Sequence, residues 1–583
     1  MDKRACTEHE MSSWDGARLF YRAWLPATAT DRAIVLFHRG HEHSARLQDV
    51  VDKLALSEIA MFAWDQRGHG HSPGERGYAP SFGCLVRDVD AFVRHIADRH
   101  AIPLQNMVVV AQSVGSVLAA AWVRDYAPPI RALVVASPAL RVRLYVPFAI
   151  PGLRLLLKFK PKAFIKSYVK SKLLTHDPAK QADYDRDPLI SPAIAVNILV
   201  GLYDAGTRLM ADSRAIITPT LMLTSGADWV VEQKAQHRFF DGLGSPIKEK
   251  QVFPGFFHDT LNEKDSHLPL GKAREFIRAR FAEPFSQPAV LDADRRGYTY
   301  AEYERLRQPL PGGPRAWFFS VARWLMHGPG RISEGIRIGA DTGFDSGSTL
   351  DYVYRNRAQG RFLIGRLIDR AYLDSIGWRG IRQRKIHLEA ALNDAIARLV
   401  AAGKAVHIVD IATGHGRYVL DVLRALKEVP ATALLRDYSP LNIEAGQALA
   451  RELGLANVVY QQGDAFSAQE LARLDPAPTI AIASGLYELF PDNAPVMRSL
   501  AGLAAHMAAG SLLIVTNQPW HPQLEFIAHA LTSHRDGKPW VMRRRTQAEM
   551  DQLLRQAGFA PIAQSIDEWG IFAVILAERR GAV

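Results

Sequence analysis

The chain has only two cysteines in 583 residues, Cys6 and Cys84. So few exclude a disulfide-framed scaffold and a multi-cysteine metal centre, and they fit a reducing compartment, so a cytoplasmic protein without a metal site is expected. Long hydrophobic runs are missing as well: none reaches the roughly 18 apolar residues that a bilayer-spanning helix needs. The opening stretch MDKRACTEHEMSSWDG is polar and lacks the apolar centre of a secretory signal. Repeats on a scale of roughly 20 to 50 residues are absent, which excludes solenoids and propellers.

What remains is the composition of a globular protein, 48% hydrophobic and 22% charged. At about 150 residues per domain, the length predicts two to four folding units. The net charge of +11 fits an anionic partner, nucleic acid or a lipid surface, and its location along the chain decides between them.

Short β-branched runs ended by turn residues recur twice along the chain, with helical patterns between them. The first series is AIVLFH (33–38), AMFAWD (60–65), MVVVAQS (107–113), ALVVASP (132–138) and TLMLTSG (220–226). The second is AVHIVDIA (405–412), ATALLRDY (431–438), NVVYQQGD (457–464), TIAIASG (479–485), SLLIVTNQ (511–518) and GIFAVILAE (570–578). This rhythm predicts two parallel sheets, each covered by helices on both faces, an α/β fold class for both halves. From 141 to 215 the strand rhythm stops and helices are expected to form an inserted lid. Between Arg141 and Lys172 stand nine Lys or Arg and no Asp or Glu. Apolar residues alternate with these cations, so the lid suits either an anionic membrane surface or a solvated cover with its apolar face on the catalytic domain. Aromatic residues for base stacking are sparse there, and no nucleic acid partner is expected.

The first candidate site is built on VVVAQSVGSVLAA (108–120), a strand, a lone serine and a helix start. A serine becomes a nucleophile when an imidazole accepts its proton and a carboxylate orients that imidazole. Ser113, Asp228 in TSGADWVV and His258 in PGFFHDT follow each other in that order, each just past a strand end. Ala111 stands where a Gly-x-Ser-x-Gly turn has its first glycine, and Gly115 keeps the second. With LFHRGHEHSAR and WDQRGHGHSPGERG, these motifs resemble the α/β-hydrolase superfamily, within it the monoacylglycerol lipase and lysophospholipase group. The resemblance implies an oxyanion hole from the backbone of Gly40 and Val114. His38 is followed by Arg39 where that group usually carries glycine. His38, His69 and His71 are expected to serve loop packing, and Asp65 with Arg67 to form a buried pair.

The second candidate site lies in VHIVDIATGHGRYVLDVL, where a strand ends at Asp410 and a loop with Ala412, Gly414 and Gly416 leads into a helix. Glycines admit a bulky ligand close to the backbone, and the helix start offers free N–H groups. Asp437 ends the next strand, where a carboxylate can accept ribose hydroxyls, and Asp464 with Ala465 follows the third. Together these resemble a class I S-adenosylmethionine-dependent methyltransferase, with Ala412 in place of the first glycine of its loop. The stretch GFDSGSTLDYVYRNRAQG ahead of it is similar to the substrate-side helical entry of a family of methyltransferases whose acceptor is unassigned. Tyr354, Tyr487, Glu488 and His521 are candidates for a pocket wall. NQPW (517–520) follows the fifth strand rather than the fourth, and no acceptor role is assigned to it.

The resulting expectation is a fusion. Residues 1–285 form an α/β-hydrolase domain with a lid at about 141–215, residues 286–345 a linker with docking helices, and residues 346–583 a Rossmann-like methyltransferase domain. The resemblances imply a serine hydrolase of lipid, lysophospholipid or monoacylglycerol esters and S-adenosyl-L-methionine-dependent methyl transfer to an unassigned acceptor. The alternatives are one catalytic domain tethered to a cofactor- or lipid-sensing module, and a peripheral membrane scaffold on the inner membrane face. The oligomeric state is left open.

Overall fold

Most of the continuous β-branched runs become strands because both of their faces find apolar cover. In the computed structural model, which describes residues 3–581 apart from 427 and 536, they fall into two compact units, Met1–Pro288 and Ala289–Val583.

The first unit holds β1 (Thr7–Ser12), β2 (Arg18–Trp24), β3 (Ala33–Phe37), β4 (Ala60–Trp64), β5 (Met107–Gln112) and β6 (Ala132–Ala136). The lid contributes β7 (Phe164–Lys166) and β8 (Ala193–Ala195), and β9 (Thr220–Ser225) and β10 (Lys248–Phe253) complete the main sheet. Its order is β1-β2-β4-β3-β5-β6-β9-β10, antiparallel through β1, β2 and β4 and parallel beyond. Ile34, Leu36, Val108 and Val110 face a core shared with helices Gln48–Leu54 and His267–Ala282. On the opposite face Phe92 of helix Phe82–His100 stacks on Trp64 and meets Phe37 edge-on. This is the α/β-hydrolase fold.

The inserted lid is helical, with helices Ala149–Phe159, Pro178–Arg186 and Val196–Asp212, and β7 and β8 pair as a short antiparallel ribbon that the sequence pattern does not signal. Helix Ala149–Phe159 buries none of its residues, and Phe148 before it and its last residue Phe159 are 85% and 82% exposed. Helix Val196–Asp212 is pinned to helix Val114–Tyr126 by buried ions: Arg124 donates to Asp212 at 2.5 Å and to Asp125 at 2.8 Å, and Arg208 joins Asp125.

The second unit holds β11 (Val406–Asp410), β12 (Ala431–Asp437), β13 (Val458–Gln462), β14 (Ile480–Ala483), β15 (Leu512–Asn517), β16 (Phe559–Ile566) and β17 (Ala573–Arg579). The order β13-β12-β11-β14-β15-β17-β16, with β17 antiparallel to its neighbours, is a Rossmann-like sheet that reverses direction at β11. Helix Ile376–Ala401 covers one face through Leu388, Leu392 and Leu399, and helices Asn493–His506 and Gln547–Gln556 cover the other. The strand expected from 570 starts at Ala573, because the Asp567 carboxylate gathers the N–H groups of Trp569, Ile571 and Phe572 into a turn. β16 escapes the sequence pattern because its side chains beyond Phe559 are all half-buried and its pairing register shifts between Pro561 and Ala563. Residues 286–345, expected as linker and docking helices, contain helices Tyr298–Arg307, Pro314–His327 and Glu334–Thr342. They are tied into the second unit: Asp294 accepts the Asn493 N–H at 2.8 Å, and Glu302 pairs with Arg544 at 2.5 Å.

Replacing Arg124 with alanine leaves Asp212 and Asp125 buried without their guanidinium, a change that costs about 3–5 kcal/mol in comparable pairs. The expected outcome is a lower midpoint for the first unit in urea unfolding of the full chain, with the second unit's transition unmoved.

Candidate active sites

Ser113 sits between β5 and helix Val114–Tyr126 at φ 55°, ψ −117°, a conformation that costs a non-glycine residue about 1–3 kcal/mol. Neighbouring strands hold it there: its N–H donates to Ala136 at 2.9 Å and its carbonyl accepts the Ala139 N–H at 3.1 Å. Glycine is required at 115, where a Cβ would lie 2.5 Å from the His38 carbonyl oxygen. Position 111 is different. Ala111 is a buried strand residue paired with Phe37 and Val135, so its methyl group packs in the sheet and the turn forms without the first glycine.

The turn aims Ser113 Oγ at His258, whose Nε2 lies 2.7 Å away. On the far side of the ring, Nδ1 is 2.8 Å from Asp228 Oδ2. Asp228 Oδ1 accepts the N–H groups of Val230 and Val231 at 2.8 and 3.0 Å. A carboxylate at Nδ1 requires a proton there, which leaves Nε2 as the acceptor for the serine proton. Burial works to raise the Asp228 pKa, but His258 and the two backbone donors outweigh it and hold the carboxyl below its ordinary value. All three residues are buried.

Gly40 and Val114 border the same cavity of about 110 Å³ as Ser113 and His258. They approach closely, since a Cβ on Gly40 would meet Val114 Cγ2 at 3.0 Å. Ile194, Ile198, Leu199, Leu202 and Val230 make its walls largely apolar. The Arg39 side chain forms a buried bridge: Nε donates to Glu42 at 3.0 Å and the guanidinium reaches Asp259 at 3.2 Å. Asp259 in turn accepts from Gln112 at 2.9 Å. Gln112 precedes the serine, Asp259 follows the histidine and Arg39 precedes Gly40, so one charged cluster ties the three loops together. Burial works to raise Glu42, but Arg39 and Arg46 prevail and hold it at about 2.

His38 braces its loop, with Nδ1 2.6 Å from the Arg39 carbonyl and Nε2 accepting the Gln66 N–H at 3.1 Å. His69 is buried and pushed down to about 3 by desolvation. The backbone N–H of His71 donates to Asp65 at 2.7 Å. The expected Asp65–Arg67 pair does not form. Asp65 caps the N–H groups of Ser44 and His71, and Arg67 pairs with Asp88 and Asp15, because the turn after β4 points the guanidinium toward helix Phe82–His100 and the β1–β2 turn.

In the second unit the ends of β11, β12 and β13 converge. Thr413 N–H donates to the Arg436 carbonyl at 2.9 Å, and Gly463 N–H to that of Asp437 at 3.1 Å. Gly414 and Gly416 adopt φ of 57° and 73°, as the loop needs. A Cβ on Gly414 would meet only Gly347 at 3.5 Å, so this edge of the loop is open, whereas one on Gly416 would strike Leu435 at 2.8 Å. Asp437 accepts from Gly414 N–H at 2.8 Å, Ser439 N–H at 2.9 Å and Asn442 Nδ2 at 3.0 Å. Of the roughly four lone-pair positions of a carboxylate, one is left for a ligand hydroxyl, so a second would displace one of these donors. Asp464 is exposed, with Oδ1 accepting the Phe466 N–H at 2.8 Å, and Ala465 beside it is buried. Ala412 donates its N–H to Asp410 at 3.2 Å. Asp410 itself is fully buried, takes the Tyr418 hydroxyl, and is pushed up to about 7 by desolvation. It supports the loop from below, and the open edge at Gly414 with Asp437 beside it suits a ligand carrying hydroxyl groups.

Of the candidate wall residues, Glu488 and His521 border a separate apolar cavity of about 380 Å³. Tyr487 is a core residue bonded to Ser499 at 2.9 Å, and Tyr354 accepts from Arg384 at 3.4 Å. Sequence reasoning missed the Arg39–Asp259–Gln112 cluster and Arg384. The only signal for the first was an arginine where the motif expects a small residue, and for the second there was none.

Residues 273–579 match the family model described as "Putative methyltransferase", and residues 28–265 the one described as "Serine aminopeptidase, S33". The chain is 52% identical over 579 residues to the Uncharacterized protein YnbC of Escherichia coli (strain K12), covering 98% of each chain. Over 276 residues it is 26% identical to the Monoacylglycerol lipase of Mycolicibacterium smegmatis, covering 46% of this chain and 96% of that one. The crystal structure of Paleococcus ferrophilus monoacylglycerol lipase aligns with a TM-score of 0.41 and 22% identity, covering 45% of this chain and 99% of that chain.

Arg39→Met removes the bridge between the three loops, and displacement of reacting groups by about 1 Å can cost about 100-fold in rate. Esterase kcat is expected to fall by about 10- to 100-fold while fluorophosphonate labelling of Ser113 persists more slowly. An unchanged kcat in the folded variant refutes the role. Asp410 is raised from 3.8 to about 7, so its stabilisation is full below its unfolded value and is lost as pH rises through about 7. Asp410→Asn is therefore expected to gain melting temperature relative to the parent chain as pH rises from about 4 to about 8, checked by scanning calorimetry of the second unit's transition.

Proposed function

The chain belongs to the family described as "Putative methyltransferase", with a serine-hydrolase-family domain ahead of it, and from that premise we propose a bifunctional lipid enzyme. The first unit hydrolyses carboxylic esters of lipids, of the monoacylglycerol or lysophospholipid class. The observation that carries this reading is the buried line from Asp228 through His258 to Ser113 Oγ, with spacings of 2.8 and 2.7 Å, opening on an apolar cavity. Ser113 Oγ attacks the acyl carbonyl while His258 Nε2 takes its proton and then gives it to the leaving alcohol. The N–H groups of Gly40 and Val114 receive the developing oxyanion, at about 3 kcal/mol per donor. Water repeats the sequence to free the acid. Helix Ala149–Phe159, apolar and basic without a buried residue, lies against an anionic membrane surface in this reading, giving a cytoplasmic enzyme peripheral to the membrane.

In the second unit S-adenosyl-L-methionine is the cofactor, and it supplies an activated methyl group when bound. The open backbone at Gly414, in the loop shaped by Ala412 and Gly416, the remaining acceptor position of Asp437, and Asp464 with Ala465 would hold its nucleoside part. Asp410 keeps the loop in shape without facing the ligand.

Ser113→Ala is expected to abolish fluorophosphonate labelling and monoacylglycerol hydrolysis, and Asp228→Asn to lower kcat by about 10⁴. Hydrolysis that survives Ser113→Ala sinks the first assignment. Calorimetric titration with S-adenosyl-L-methionine is expected to show binding that Asp437→Ala weakens at least tenfold. Binding insensitive to that change sinks the second.

A further inference from the structure

The apolar cavity of the second unit contains neither the triad nor the residues assigned to the nucleoside. It encloses about 380 Å³, within the roughly 300–1,000 Å³ range of small-molecule sites. Ile368, Ala371, Trp378, Phe526, Ile527 and Met542 are among the apolar residues of its wall. Polar residues enter from the carboxyl ends of two adjacent strands, Gly485 and Glu488 after β14 and Gln518 and His521 after β15, with Arg384 joined to Glu488. Ser375 and Asp345 also border the cavity, the Asp345 carboxylate being engaged by Ser533 and His534.

Those polar groups are mostly hydrogen-bond donors without acceptors. His521 Nδ1 accepts the Gln523 N–H at 3.0 Å, which puts the ring proton on Nε2, and Nε2 has no partner among the described residues. The ring is neutral at physiological pH, because desolvation pushes it down to about 3. Gln518 is 3% exposed and its Nε2 is unpartnered. Arg384, equally buried, donates to Glu488 Oε1 at 3.2 Å and to Tyr354 at 3.4 Å, and its Nε is unpartnered. Among the described residues, Glu488 Oε2 is an acceptor without a donor, since Oε1 is engaged by Arg384 and by Thr516 at 3.2 Å, and the Tyr372 hydroxyl, able to accept or donate, is also unpartnered. Buried donors left unpaired cost about 1–3 kcal/mol each, so a donor-rich pocket favours a ligand group that brings lone pairs. His521 cannot act as the base for a hydroxyl acceptor, because its outward nitrogen already carries the proton.

We infer that this cavity binds a single-chain aliphatic carboxylate, with the hydrocarbon among the apolar walls and the carboxylate at His521 and Gln518. Its role as methyl acceptor rests on the methyl-transfer reading above, whereas the binding itself does not. Transfer to a carboxylate oxygen forms one C–O bond and breaks the sulfonium C–S bond, whose electron pair stays on sulfur, and no proton moves. The class of reaction that supplies such a substrate is acyl-ester hydrolysis, the chemistry proposed for the first unit.

The test is binding of carboxyl-¹³C dodecanoate to the full chain by NMR, beside dodecanol and dodecylamine. Dodecanoate is expected to bind at least tenfold more tightly than dodecanol, to lose at least tenfold in His521→Ala, and to be displaced in the cavity-filling variants Ala371→Trp and Ile527→Trp. Leu202→Trp, which fills the first unit's cavity, is expected to leave this binding unchanged. Folding of each variant is checked by circular dichroism, and His521→Ala keeps the test open where a filling variant misfolds. Dodecanol binding as tightly as dodecanoate, or dodecanoate binding abolished only by Leu202→Trp, overturns the inference. The two readings fail separately. Dodecanoate bound but never converted to its methyl ester with labelled cofactor refutes methyl transfer and keeps the site, whereas methylation of dodecanol alone refutes the site and keeps the transfer.

Discussion

The whole first unit is organised around one hydrogen bond, from Ser113 Oγ to His258 Nε2 at 2.7 Å. It has chemical meaning only while the imidazole proton sits on Nδ1, and that is decided by Asp228, itself oriented by two backbone donors. Each group comes from a different strand end, so the sheet must fix three loops to within a fraction of an ångström. The strained Ser113 backbone, the glycine at 115 and the buried Arg39–Asp259–Gln112 cluster are the means. A buried ion cluster is a weak source of net stability, but its directional bonds specify one arrangement of the loops, and here that arrangement is the one the proton path needs.

The second unit meets the same constraint differently. A parallel sheet with a topological reversal gathers its loops at the carboxyl ends of β11 to β15, and the ends divide the work. β11, β12 and β13 present backbone, a carboxylate and an open glycine, suited to a hydroxyl-bearing ligand. β14 and β15 present donors at the rim of an apolar chamber. Asp410 illustrates how burial changes a role: a carboxyl at the first strand end, expected to face ligand, points into the core and braces the loop with Tyr418.

Much of this was legible because parallel strands buried on both faces leave continuous β-branched runs, and because turn residues mark where each run stops. The order Ser113, Asp228, His258 and the placement of Asp437 and Asp464 at strand ends were readable from those boundaries alone. β16 and the β7–β8 ribbon were not, since half-buried or very short strands leave no periodic signature. The Asp65–Arg67 pairing was misread for a related reason: closeness along the chain does not fix which way a turn sends a long side chain.

The amino-acid order by itself determined the two α/β halves, the inserted lid and the residues able to carry a proton, because these depend on local periodicity and on side-chain chemistry. Only the tertiary structure decided that Ala111 is harmless, that Arg39 binds three loops together, that Asp437 retains a single acceptor position, and that donors without acceptors rim an apolar cavity. Those facts are matters of which groups lose water and which partners they find, and residues both near and far along the chain settle them by meeting in space.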